Sequence, residues 1–131
     1  MGLFSDSDYC FNTGDTICTY AGVVLPSEVS NQLPRDYMVQ ITPYIVLDGV
    51  DEKERSYGPW INDPIYLTKV NARFSINVTD RTVHVVATHP IKEGTEVFIC
   101  YGCKFWNEPT QWGKLNKRQQ REVEYNESIS C

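Results

Sequence analysis

The alternation of apolar and polar side chains is clearest near the middle of the chain. Over residues 82–88, Val83, Val85 and Ala87 alternate with side chains that point to the opposite face. A period of two residues is typical of a β-strand with one buried face. Residues 72–78 are also β-like, and turn formers lie between the two runs. The pattern therefore predicts a hairpin made of strands 72–78 and 82–88.

Shorter β-like runs occupy much of the remaining chain. Residues 16–25 are rich in β-branched and aromatic side chains and predict one continuous strand. Residues 37–46 and 44–48 are β-like around a break at Pro43, and residues 97–101 predict a short buried strand. The pattern favours a mainly β protein.

The C-terminal part of the chain has a different periodicity. Within residues 110–124, side chains recur at helix-compatible spacing among Lys and Arg: Trp112, Leu115, Gln119 and Val123. This spacing predicts an amphipathic C-terminal helix, followed by a frayed tail over residues 125–131.

Length and charge narrow the possible functions. A chain of 131 residues is predicted to form one domain, and its 41% hydrophobic and 22% charged residues are ordinary for a globular protein. The net charge of −5 argues against direct binding to a nucleic acid but suits a basic peptide partner. No apolar run is long enough to predict a membrane span.

Five cysteines form an odd set without the spacing of a disulfide framework. With no signal peptide, reduced thiols in an intracellular compartment are expected. Cys100 and Cys103 have the spacing of a redox or zinc motif, but the βαβ context and a full set of zinc ligands are missing. We interpret both as core residues, with Cys100 facing inward, and predict no metal site. A redox protein is the remote alternative.

Residues 58–106 carry the candidate chemistry. Polar amide and carboxylate side chains lie close in sequence to aromatic ones: Asn62, Asp63 and Asn71 beside Trp60, Phe74, Tyr101 and Trp106. Buried amides need hydrogen-bond partners, so this mixture is unusual for a packed core. It indicates a pocket for a ligand with flat and polar parts.

Four sequence blocks, in order, resemble the SET domain of protein lysine methyltransferases. They are GLFSDSDYCFNTGDTICTYAG (2–22), WIN (60–62), NARF (71–74) and IKEGTEVFICYG (91–102). The resemblance implies a mainly β fold with SET-domain-like β-clip architecture, a C-terminal pseudoknot and a C-terminal helix. It divides the chain into a catalytic domain, 1–108, and a helical extension, 109–131.

The resemblance implies transfer of a methyl group from S-adenosyl-L-methionine to a lysine of a protein, with a basic histone-like tail as the leading substrate. It places the protein inside the cell, in the nucleus, or in a host nucleus if the source is viral. A catalytically inactive SET-like module that binds peptides or acts as a scaffold is the alternative.

The family pattern also assigns roles to individual residues. It implies catalytic roles for Tyr101 and Tyr20, and a substrate-lysine channel lined by Tyr37, Phe74 and Phe105. The cofactor would contact Gly2, Leu3, Phe4, Trp60, Ile61, Asn62, Asp63 and Asn71. Phe74 leaves more room than a tyrosine at its position, which favours multiple methylation. An aromatic channel suits this chemistry because a lysine ammonium, with a pKa of about 10.4, must lose its proton before it can attack.

Two departures from the family pattern bear on cofactor binding. The family usually has Asn-His-Ser where this chain has Asn62, Asp63 and Pro64. Asp cannot reproduce the ring stacking or the two nitrogens of His. The chain begins at Met1, so the first glycine of the family's Gly-x-Gly-Leu-Phe loop is absent and a shortened loop is expected.

Overall fold

The computed structural model of the chain describes residues 2–5, 10–30, 32, 37–49 and 61–130. Trp60 and Cys131 lie outside these residues. The elements, in chain order, are β1 (Thr16–Tyr20), β2 (Val23–Pro26), α1 (Ser27–Ser30), β3 (Met38–Thr42), β4 (Ile45–Asp48), β5 (Ala72–Asn77), β6 (Thr82–Ala87), α2 (Cys103–Asn107), α3 (Pro109–Trp112) and α4 (Lys117–Ser130). A 3₁₀ turn at Leu67–Lys69 precedes β5.

The strands form two small antiparallel sheets. One has the order β1-β6-β5 and the other has the order β2-β4-β3. The predicted hairpin is confirmed as β5 and β6, paired from Ala72 opposite Ala87 to Asn77 opposite Thr82. The break predicted at Pro43 is the turn between β3 and β4.

The single strand predicted over residues 16–25 is wrong, because β1 and β2 belong to different sheets. The chain leaves the first sheet at Ala21 and Gly22 and enters the second at Val23. A Cβ on Gly22 would lie 2.3 Å from the backbone oxygen of Asp48. Only glycine permits this close approach of two backbones, so the corner between the sheets depends on Gly22.

Two apolar clusters form the core. One gathers residues from the first sheet, from the segment that follows β6 and from residue 61, namely Ile61, Ala72, Val85, Ala87, Ile91, Val97 and Ile99. The other lies between the two sheets and contains Tyr20, Val39, Ile41, Leu47 and Val83. Phe74 packs against both clusters, so the aromatic ring of this residue links the two sheets.

The C-terminal helix begins later and ends later than its pattern predicted. Pro109 starts the short helix α3, and residues 113–116 separate it from α4. Asn116 and Gln119 exchange side-chain-to-backbone hydrogen bonds of 3.0 and 2.8 Å, a reciprocal cap that begins α4. The tail predicted to fray is helical to Ser130.

Asn126 shows why the tail is ordered. Its side chain is buried, and its Nδ2 donates to the backbone oxygen of Ile65 at 2.7 Å. This bond ties α4 to the segment after Ile61 and explains the helical tail. Among the described helices, none combines the length and the apolar character needed to cross a membrane.

Candidate functional site

The site is built around residues 96–99, which overlap the short buried strand predicted over residues 97–101. They form isolated bridges instead: Glu96 pairs with Phe4, and Phe98 pairs in parallel with Asn62. Val97 N–H donates to the backbone oxygen of Leu3 at 2.7 Å, and Ile99 N–H donates to that of Asn62 at 3.0 Å. The strand prediction is wrong because the backbone bonds of this segment go to several separate parts of the chain.

Asn71 holds the other side of the 96–99 segment. Its Nδ2 donates to the backbone oxygen of Glu96 at 3.0 Å, and its Oδ1 accepts from the N–H of Phe98 at 2.8 Å. The backbone N–H groups of Asn71 and Ala72 both donate to the oxygen of Phe98 at 3.1 Å. The 96–99 segment therefore lies between residues 61–62 and 71–72, the pairing expected of the predicted pseudoknot.

Gly2, Asn62 and Glu96 form a compact polar group at one end of this segment. Asn62 Nδ2 donates to Glu96 Oε2 at 3.1 Å. A Cβ on Gly2 would lie 2.4 Å from the same Oε2 atom and 3.1 Å from Asn62 Nδ2. A side chain at position 2 would therefore require the Glu96 carboxylate to move.

Leu3 and Phe4 continue the N-terminal segment beside this group. Leu3 packs against the first core cluster, while Phe4 is 56% exposed. Gly2 therefore lies beside Asn62, and Leu3 and Phe4 lie beside residues 96 and 97, while contact of these residues with a cofactor stays a prediction.

Tyr101 follows directly in this segment. Its hydroxyl donates to the backbone oxygen of Ile61 at 2.5 Å. Its ring lies 4.8 Å from Phe105 in an edge-to-face arrangement and 6.0 Å from Trp106 in a stacked one. Phe105 and Trp106 also contact each other at 4.9 Å. The rings of Tyr101, Phe105 and Trp106 therefore pack together beside the segment that contains Ile61 and Asn62.

Asp63 connects this aromatic group to the rest of the site. Its Oδ1 accepts from the N–H of Ile65 at 2.6 Å. Its Oδ2 accepts from the N–H of Tyr101 at 2.9 Å and from the indole Nε1–H of Trp106 at 2.8 Å. Both carboxylate oxygens thus bind donors of the chain itself. The contact predicted between Asp63 and a cofactor stays a prediction.

A second aromatic group contains Tyr20, Tyr37 and Phe74. The Tyr20 ring meets that of Phe74 edge to face at 5.6 Å, and its hydroxyl donates to the backbone oxygen of Tyr37 at 2.8 Å. Burial, with smaller contributions from Tyr101, Asp48 and Tyr37, raises the pKa of Tyr20 well above its usual value. The structure therefore places Tyr20, Tyr37 and Phe74 in one group and Tyr101 and Phe105 in another. The catalytic and channel roles of these residues stay predictions.

Cys100 does not lie where the pattern predicted. Cys100 is exposed, so the prediction that it faces inward is wrong. The bridge of Phe98 to Asn62 and the burial of Ile99 turn Cys100 toward solvent. Cys18 is half-buried and burial raises its pKa to about 11. Within the described part of the chain, His, Cys, Asp and Glu side chains form no group suited to a metal ion. The side chain of Cys103 lies outside that part.

Comparison with known proteins identifies the family of the chain. The family model described as the SET domain matches residues 1–102 of the chain. The chain belongs to the SET domain family. It is therefore a member of a family of protein-lysine methyltransferases, and its antiparallel sheets with a C-terminal helix agree with the fold that its sequence blocks predicted.

A solved structure has a similar fold. The methyltransferase domain of human PR domain-containing protein 2 superposes with a TM-score of 0.60 and 17% sequence identity, covering 77% of this chain and 67% of that one. At this identity the likeness shows the fold alone. No match is found among curated protein sequences. Helices α2–α4 lie beyond the matched residues, and the domain boundary predicted at residue 108 stays a prediction.

Two residues of the site were not singled out by sequence reasoning. In the sequence, Glu96 is one position of the IKEGTEVFICYG block without a predicted role, and Trp106 is one of the aromatic residues near Asn62 and Asp63 in the candidate region. The structure shows that Glu96 contacts Asn62 and that Trp106 bonds to Asp63. Their partners lie 34 and 43 residues away in sequence, and no local pattern marks such pairs.

Proposed function

We propose that this protein is an S-adenosyl-L-methionine-dependent protein-lysine N-methyltransferase. The hydrogen bond from the Tyr101 hydroxyl to the oxygen of Ile61 is the observation that carries the proposal. It joins Tyr101, which is proposed for catalysis, to Ile61, which lies 40 positions earlier in the chain and directly before Asn62. Site residues that are distant in sequence thus meet in one place, where a transferred group could pass from cofactor to substrate.

The polar group at the N-terminal segment fits the methionine part of the cofactor. Backbone at Gly2 comes close to Asn62 and Glu96, and a Cβ there would collide with the Glu96 carboxylate. Close backbone approach is what a ligand held by main-chain groups requires. The residues proposed to hold the cofactor directly are Gly2, Leu3, Phe4, Trp60, Ile61 and Asn62, whereas the side chains of Asp63 and Asn71, also predicted to contact it, hold neighbouring parts of the site. When bound, S-adenosyl-L-methionine would supply an electrophilic methyl group.

The hydroxyl groups of both tyrosines are already hydrogen-bonded within the chain. The Tyr101 and Tyr20 hydroxyls each donate their single proton to a backbone carbonyl, of Ile61 and of Tyr37. A phenol that has donated its proton can still accept hydrogen bonds. The raised pKa of Tyr20 keeps this residue protonated, so it orients an amine or a polarised C–H group rather than acting as a base. The substrate amine would then lose its proton to a group other than the Tyr20 phenol before transfer.

The proposed substrate is a lysine on a protein, with a basic histone-like tail as the leading candidate and the nucleus as the proposed location. The net charge of −5 supports a basic partner, because it would raise the local concentration of a cationic peptide. Phe74, which packs edge to face on Tyr20, lacks a hydroxyl that would hold water beside the amine. We therefore propose that more than one methyl group is added.

Two measurements test the proposal. Calorimetry with S-adenosyl-L-methionine should give saturable binding, and labelled cofactor should transfer its methyl group to a core-histone mixture or a library of lysine-containing peptides. Tyr101→Phe should lower turnover far more than cofactor affinity, because its hydroxyl acts in the transition state. Absence of binding at millimolar cofactor, with peptide binding retained, would support the inactive scaffold instead.

A further inference from the structure

We propose that Asp63 is a positioning residue for Tyr101, through its hydrogen bonds to the Tyr101 backbone and to Trp106. The proposal rests on the proposed function, because it concerns how the Tyr101 hydroxyl is held for methyl transfer. It assigns the carboxylate a role that differs from direct contact with the cofactor.

Tyr101 is held at four points. Asp63 Oδ2 accepts a hydrogen bond from the backbone N–H, the Ile61 carbonyl accepts one from the hydroxyl, and the ring contacts those of Phe105 and Trp106. Asp63 controls two of these points, because the same Oδ2 atom also binds the indole of Trp106. Losing the carboxylate would release the backbone of Tyr101 and the ring stacked on it together.

The residue type at position 63 suits this task. Within the described residues, the three groups that reach its carboxylate are N–H donors, from Ile65, Tyr101 and Trp106. An ionised carboxylate offers two oxygens that only accept, and bonds to it are stronger than neutral ones. An asparagine amide has one acceptor atom, and its NH₂ group would face N–H groups. The departure from the family's Asn-His-Ser therefore matches the local set of donors.

The anchor of Asp63 is itself rigid. Ile65 has a φ of 69°, a left-handed conformation that is rare for a β-branched residue. Asp63 Oδ1 binds its N–H and Asn126 Nδ2 binds its oxygen, so bonds from both sides hold the strained turn. Such strain persists only where the surroundings impose it, and it is concentrated at functional sites. A carboxylate fixed in this way can transmit its position to Tyr101.

The test is a double-mutant cycle between Asp63 and the hydroxyl of Tyr101. Asp63→Asn should lower kcat by at least about tenfold while changing the Kd of S-adenosylhomocysteine by less than about threefold. Tyr101→Phe should then cost a much smaller factor in the Asp63→Asn background than in the unaltered protein, because its hydroxyl is no longer in place. Asp80→Asn, in the exposed turn between β5 and β6, is the matched control and should leave kcat unchanged.

A second variant separates positioning from folding. Trp106→Phe keeps an aromatic ring and both backbone bonds of Asp63, but removes the indole donor. It should lower kcat by a smaller factor than Asp63→Asn and show the same coupling to Tyr101→Phe. If Asp63→Asn does not fold, this second cycle decides the question alone.

The outcomes distinguish the proposal from the function on which it rests. Losses that multiply independently in the cycle, or a loss of cofactor affinity equal to the loss of kcat, would overturn the positioning role in an active enzyme. Absence of methyl transfer by the folded, unaltered protein would overturn the proposed function and the catalytic role of both residues.

Discussion

Replacing Asn71 with alanine should destabilise the protein before it affects any chemistry. The sequence resemblance assigned Asn71 to the cofactor, but both ends of its amide bind the backbone of the 96–99 segment, at Glu96 and Phe98. The side chain therefore acts as a clamp between β5 and the segment that leads to Tyr101.

The magnitude follows from the two groups that would lose their partner. An unpaired buried backbone group costs about 1–3 kcal/mol, and because Asn71 is only half-buried the lower end applies. Asn71→Ala should therefore lower the free energy of unfolding by roughly 2 kcal/mol, a large share of the ~5–15 kcal/mol of a typical domain.

Urea denaturation followed by circular dichroism measures this change. Asn12→Ala is a suitable control, because Asn12 is exposed and its described bonds are made by its backbone. A direct cofactor role predicts the opposite pattern, with cofactor affinity lost and the urea midpoint unchanged. That result would refute the clamp.

Three further predictions follow from particular contacts. Gly2→Ala would displace the carboxylate that a Cβ meets at 2.4 Å, so calorimetry should show weaker cofactor binding with little change in melting temperature. Asn126→Ala leaves the Ile65 oxygen without its buried donor and should cost about 1–3 kcal/mol in urea denaturation. Burial raises the pKa of Cys18 to about 11. Mass mapping should therefore find Cys18 alkylated much more slowly than exposed Cys10 at pH 8. The alkylation rate of Cys18 should rise about tenfold per pH unit.

The sequence pattern predicted correctly the elements that depend on residues close together in the chain. The hairpin of β5 and β6 follows from alternation along two adjacent strands joined by a short turn. The corner at Gly22 could not be predicted, because it depends on the backbone of Asp48, which lies 26 positions away by the numbering. The inward orientation predicted for Cys100 failed for the same reason, since distant partners of residues 98 and 99 decide which face is buried.

In the candidate site, too, some features could be predicted from the sequence and others depend on contacts between distant residues. Resemblance identified the aromatic residues and Asn62, and the structure brings the described ones together. It could not identify the role of Asp63, whose donors Tyr101 and Trp106 lie 38 and 43 positions further along the chain. Hydrogen bonds between segments that meet only after folding leave no periodic signal in the sequence.

The contacts of α2 and α4 with the site show which part of the chain would be needed for activity. The family match ends at residue 102, yet two bonds connect the helices beyond it to the site, Trp106 to Asp63 and Asn126 to Ile65. Both bonds end on the strained turn that follows Asn62, so the helices beyond the match stabilise the part of the site proposed to hold the cofactor. A protein shortened to residues 1–102 would lose both bonds, and we expect cofactor affinity and stability to fall together in it.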